Sequence, residues 1–277
     1  MMNKLQVALQ LFSVREDLEK DFEGTLRQVH EMGYDGVEFA GLFGHSAQEI
    51  RTLTARYGLS PISAHVPIDE ILADIPGCLD TYREIGCRYI AIPWLDEPRR
   101  PGNPGYDQLM KDIAVMAEAC LERGMTLLYH NHDFEFVQID GEYALDRMYR
   151  NIPALQTELD TCWVNIGGED PVAYLHKYSG RAPVVHLKDF AMPEEKPAYL
   201  YELIGVDEDE EQKKKAARGA LEFRPCGYGA QNMPAIVEAS RQAGAVWVVV
   251  EQDRPSMDKT PLECARMSRE YLTSIGV

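Results

Sequence analysis

Eight short apolar segments recur along the chain, each followed by a longer amphipathic stretch, and no other feature of the sequence constrains the fold as much. Strand-length apolar runs separated by helix-length segments read as βα units wrapped around a parallel sheet. The predicted strands are Leu5 to Phe12, Gly36 to Ala40, Ser60 to His65, Tyr89 to Trp94, Thr126 to His132, Leu155 to Asp160, Pro183 to Lys188 and Val246 to Glu251. Between the first two, Leu18 to Met32 places Phe22, Leu26 and Val29 on one helical face, and Gly33 supplies a C-terminal stop.

Eight such units predict a TIM (β/α)8 barrel, and 277 residues fit one barrel as a single domain over 1–277. One irregularity follows the seventh strand. The segment Met192 to Glu222 contains "VDEDEEQKKKAARG", a block of acids then a block of bases. This charged insertion reads either as a solvated helix face or as a lid over the strand ends.

The balance of 28 basic against 45 acidic residues gives a net charge of −17, which disfavours a phosphate backbone as partner. The six cysteines contain no C-x-x-C pair, and a chain of this size needs no disulfide staples. With no signal-peptide pattern and no apolar run of about 18 residues, a cytoplasmic location without membrane contact is expected. Homo-oligomerisation stays open.

Chemistry concentrates at the C-terminal strand ends, where barrels of this kind place their active sites. "YHNHDFEF" packs His130, His132, Asp133 and Glu135 into one such end. The next three ends carry Glu158 with Asp160, His186 with Lys188, and Glu251 with Asp253. Residues two apart share a strand face, so four neighbouring strands can converge on one ion. Mixed nitrogen and oxygen donors suit Mn²⁺, Co²⁺, Fe²⁺ or Zn²⁺ better than Mg²⁺.

The motifs "LQLFSVRED", "GYDGVEFAG", "YHNHDFEF", "ELDTCWV", "VVHLKDF" and Gly227-Tyr228-Gly229 together resemble the xylose-isomerase-like TIM barrels of the sugar phosphate isomerase/epimerase group. The resemblance implies one divalent ion, Mn²⁺ as first choice, held by residues of strands five to eight. Matched motif by motif, its ligands fall on Asp160, His186 and Glu251, with His130 where the ketose epimerases carry a glutamate. That departure weakens a symmetrical two-glutamate epimerisation, and the His-x-His is similar to the inosose dehydratase branch. Endonuclease IV shares an "LDTC"-like motif, but Trp163 stands where its pattern has a histidine.

The expected reaction is proton abstraction beside a metal-chelated carbonyl by an isomerase or epimerase of a keto sugar or related polyol. The alternatives are a lyase, of the inosose dehydratase type or eliminating an aglycone from a 3-keto-glycoside, and a carbohydrate-binding barrel without turnover. Glu251 is the expected acid/base, with Lys188 as oxyanion or leaving-group partner and His132 as the reserve candidate. Lys188 reads equally as a salt-bridge partner of Asp160 or Glu158. Expected substrate contacts are Glu38, His65, Trp94, Glu135 and Trp163, the Glu135 match coming from the family pattern. Glu38 and His65 read equally as structural, and the tryptophans as packing. Gly227-Tyr228-Gly229 is too short to argue a phosphate loop.

Overall fold

A computed structural model describes residues 5–192 and 221–277. Eight parallel strands close into a barrel: β1 (Gln6–Gln10), β2 (Gly36–Ala40), β3 (Ser60–His65), β4 (Tyr89–Ile92), β5 (Thr126–His130), β6 (Gln156–Asp160), β7 (Val184–Leu187) and β8 (Trp247–Val250). Each strand pairs with its neighbours in sequence, and β1 closes on β8 with Gln6 opposite Trp247 and Leu9 opposite Val250. The (β/α)8 expectation therefore holds.

Two apolar layers explain where the polar one must sit. Leu9, Val37, Ile90, Leu127, Leu159 and Val248 face the helices and join the main core. Ala8, Ile62, Ala91, Leu128, Val184, Trp247 and Val249 form a separate cluster inside the barrel. Along five of the eight strands the next inward position toward the C-terminal end is polar: Gln10, Glu38, His130, Glu158 and His186. Period-two alternation thus stacks a charged layer on an apolar floor. Gly36 is part of that floor, since a Cβ there would lie 2.6 Å from the Ser60 carbonyl and 3.1 Å from the Trp247 ring.

Local differences from expectation have physical reasons. The helix expected over Leu18 to Met32 is two helices, Arg15–Lys20 and Phe22–Glu31, because Asp21 leaves helical geometry to accept the Gly24 N–H at 2.9 Å. Gly33, at φ +88°, ends the second as anticipated. Trp94, His132, Lys188 and Glu251 all lie just past their strands, so strand alternation does not set their directions.

Beyond β7, Asp189–Ala191 pairs antiparallel with Glu222–Arg224. The charged segment runs between these two, and its reading as solvated face or lid lies outside the described residues. No helix among the described residues is long and apolar enough to cross a membrane.

Candidate active site

Asp160 ends β6 and is held from two directions. Its Oδ1 accepts the Cys162 and Trp163 N–H groups at 2.8 and 2.9 Å, capping the helix Thr161–Ile166, while Asn131 clasps its backbone N–H at 2.9 Å. The free Oδ2 faces His130 Nε2 at 3.2 Å. Across the barrel, Glu251 Oε2 lies 3.2 Å from His186 Nδ1 and 3.7 Å from His130 Nε2. One donor atom from each of His130, Asp160, His186 and Glu251 falls within 4.8 Å of the others, and all four residues are buried. Two imidazoles and two carboxylates so confined fit a divalent transition ion.

A second group lies around the other face of His186. Its Nε2 meets Glu38 Oε1 at 2.8 Å and Glu158 Oε2 at 3.5 Å, while His65 Nε2 lies 2.6 Å from Glu158 Oε2 and 3.2 Å from Glu38 Oε1. Nitrogen and oxygen alternate around this ring, the pattern of hydrogen bonds. Gln10 Nε2 donates to Glu38 Oε1 at 2.6 Å and the Ser63 hydroxyl donates to Glu38 Oε2. An imidazole whose outer nitrogen rests on a carboxylate is oriented for metal binding through the inner one.

The charges follow from these contacts. Burial pushes Glu38 upward, but His65 and His186 more than offset this and hold its carboxyl well below the usual range. Burial and then the neighbouring Glu38 push Glu158 well above it, so the two glutamates retain one proton between them. Burial pulls His186 down, yet Glu158 and Glu38 raise it well above the ordinary imidazole value. A proton and a divalent ion compete for its Nδ1 lone pair, so metal binding releases that proton.

Lys188 is 2 % exposed and bridges the rim. Its Nζ lies 2.9 Å from Glu251 Oε2, 2.8 Å from Asp253 Oδ1 and 3.9 Å from Asp160 Oδ2. Burial disfavours the ammonium, but Asp253, Glu251 and Asp160 hold its pKa well above normal. The same ammonium, against the opposing effect of burial, keeps Glu251 well below the carboxylate range. Lys188 therefore pairs most closely with Glu251 and Asp253 and more distantly with Asp160, one of the two salt-bridge partners expected from sequence.

The remaining expected residues separate. Glu38 and His65 belong to the hydrogen-bonded ring just described. His132 stays out of the ligand group; its ring stacks on Phe134 at 5.4 Å and leans on Trp163 at 5.0 Å, and burial drops its pKa well below normal. Trp163 also meets Phe223 at 6.1 Å, and Trp94 is 49 % exposed at the mouth. The expectation that Glu135 touches substrate needs correction. It is fully buried, with one oxygen accepting from the Tyr129 hydroxyl and the other from the His132 N–H at 2.8 Å. It braces the turn Phe134–Phe136.

Several residues were assigned no role from sequence. Glu158 carried a usable signal, standing two before Asp160 on the same strand face. Asn131 sits in a quoted motif and Asp253 at the eighth strand end, but their partners come from other strands. Asp189 accepts the N–H groups of Phe190, Gly227, Gly229 and Gln231 at 2.9 to 3.1 Å, so the Gly227-Tyr228-Gly229 loop wraps a carboxylate of the protein itself. A Cβ on Gly229 would sit 2.2 Å from Asp189 Oδ1.

The model of the xylose isomerase-like TIM barrel family matches residues 26–275. The inosose dehydratase of Geobacillus kaustophilus (strain HTA426) is 24% identical over 273 residues, covering 90% of this chain and 85% of its own. A sugar phosphate isomerase/epimerase from Parabacteroides distasonis superposes with a TM-score of 0.75 at 20% identity over 98% of both chains. The IolI protein, solved with a bound zinc atom, superposes at 0.68 with 14% identity, again over 98% of both. At these identities the two structures speak for the fold.

Proposed function

The chain belongs to the xylose isomerase-like TIM barrel family, and from that premise we propose that it is a divalent-metal-dependent lyase dehydrating a keto polyol of the inosose type. The observation that carries this reading is the buried Lys188–Glu251 pair at 2.9 Å beside the ligand group. His130, Asp160, His186 and Glu251 would hold the ion, which supplies a Lewis acid for a chelated carbonyl and its developing negative charge. A carboxylate kept ionised by Lys188 takes the hydrogen from the carbon next to that carbonyl. The electron pair forms the double bond, the carbon–oxygen bond of the β-hydroxyl breaks, and the hydroxyl leaves as water with a proton from Lys188. Glu251 then returns the abstracted proton to Lys188 across the short contact between them.

The inosose dehydratase relatives, aligned along most of this chain, support the same outcome. Isomerisation or epimerisation is the second reading, favoured by Glu158, a second carboxyl beside the site whose Oε2 lies 3.5 Å from His186 Nε2 and whose pKa is raised by burial and by Glu38. Either way the partner is a small polyol; a net charge of −17 speaks against nucleic acid.

Purified protein should carry about one transition ion per chain, and Asp160→Asn should lose it while the amide still caps its helix. Metal-loaded protein incubated with inososes and ketoses in deuterium oxide should exchange the α-hydrogen and yield a product lighter by one water. Exchange without loss of water would move the assignment to isomerase or epimerase. Stoichiometric metal in Asp160→Asn would remove Asp160 from the ligand set.

A further inference from the structure

The rim between β4 and β5 carries an arginine that the proposed chemistry does not use. Arg100 is half-buried, its guanidinium 4.3 Å from the Phe134 ring and 5.7 Å from Trp94. Its Nε donates to the Leu95 carbonyl at 3.1 Å, and its backbone N–H to Glu97 O at 3.1 Å, so the side chain is fixed at both ends. Neighbouring Arg99 pairs with Asp69 at 2.6 Å and Asp96 at 3.4 Å. Arg100 has no carboxylate within 4.0 Å among the described residues. A guanidinium held by its Nε, with no carboxylate partner among the described residues, has terminal N–H groups to offer a ligand.

A run of ring contacts connects Arg100 to the ligand group. Phe134, under the guanidinium, stacks at 7° on His132, whose ring lies 5.2 Å from that of His130.

Resting on the lyase reading, we propose that Arg100 is a specificity-determining residue, and that the substrate is a keto sugar or cyclitol bearing an anionic group, phosphate or carboxylate, remote from the carbonyl. The planar fork offers two parallel N–H groups to such an oxyanion, and the rings on which it rests hold it without competing for them. Phosphate and carboxylate share this chemistry.

The test compares metal-loaded wild type with Arg100→Met and Arg100→Lys on D-fructose, D-fructose 6-phosphate and 5-keto-D-gluconate, by calorimetric binding and by solvent-deuterium exchange. Wild type should bind one of the anions about 10- to 100-fold more tightly than the neutral sugar, with the preference weakening in high salt. Which anion wins separates phosphate from carboxylate. Arg100→Met should erase the preference, and Arg100→Lys should restore only part of it. An equal anion-to-neutral ratio in wild type and Arg100→Met would overturn the inference, whether or not exchange is seen. Loss of exchange on every compound with the binding preference intact would count against the lyase reading alone.

Discussion

His186 belongs to two layers built from the same residue types, and the layers differ in what surrounds them. On its Nδ1 side stand His130, Asp160 and Glu251, with the Lys188 ammonium 2.9 Å from Glu251. On its Nε2 side stand Glu38, His65 and Glu158, with Gln10 and Ser63 donating to Glu38. The Nε2 layer satisfies its charge internally by keeping a proton on Glu158. The Nδ1 layer keeps Glu251 ionised through an ammonium that is itself chemically usable. Identical side chains thus become a scaffold in one layer and a reactive set in the other, because local charge decides which form each holds.

The sharpest way to break this division is to neutralise one carboxyl in each layer. Glu251→Gln should lower deuterium exchange at saturating metal by about 10²- to 10⁴-fold, since an amide cannot accept the proton. Glu158→Gln mimics the protonated state that Glu158 already occupies and should cost less than about tenfold on the same scale. Equal losses in the two variants would make the Nε2 layer part of the chemistry.

A smaller effect tests the link through His186. Glu38→Gln removes the charge behind Nε2 and should weaken metal affinity by about 10- to 100-fold, as for other groups that orient a ligand. His130 Nδ1 is buried without a hydrogen-bond partner among the described residues, so no such group steadies the other imidazole. His130→Ala should therefore lose affinity through the missing ligand alone, and excess Mn²⁺ should recover part of the activity. Unchanged affinity in Glu38→Gln, measured by calorimetric titration, would separate the layers energetically.

The smallest effect lies under the turn after β5. Burial pushes Glu135 up to about 8, against hydrogen bonds from Tyr129 and the His132 N–H that lower it. The folded chain therefore keeps a proton that the unfolded chain releases above its ordinary pKa near 4.5. Stability should fall as pH rises between those values, because there the folded state binds more protons. Melting temperature should drop by about a few degrees from pH 5 to pH 8 in wild type, and less in Glu135→Gln. Parallel pH profiles would show that Glu135 is ionised in the folded protein.

What the sequence determined by itself was the barrel and its polar layer. Eight apolar runs at strand length, with polar residues at alternate positions near their C-terminal ends, admit little else, since a parallel sheet must be covered by the helices between its strands. Within strands the same periodicity placed Glu38, His130, Glu158, Asp160 and His186 inward. Past the strand ends that rule lapses, and tertiary structure decided the outcome. Glu135 turned into the protein to meet Tyr129, His132 went to an aromatic stack, and Lys188 chose Glu251 and Asp253. Barrel closure brought His186 against Glu38, 148 residues away in the chain, and thereby made one imidazole the member of two layers. Such pairings depend on which strands adjoin and where each loop packs, quantities that no local pattern encodes.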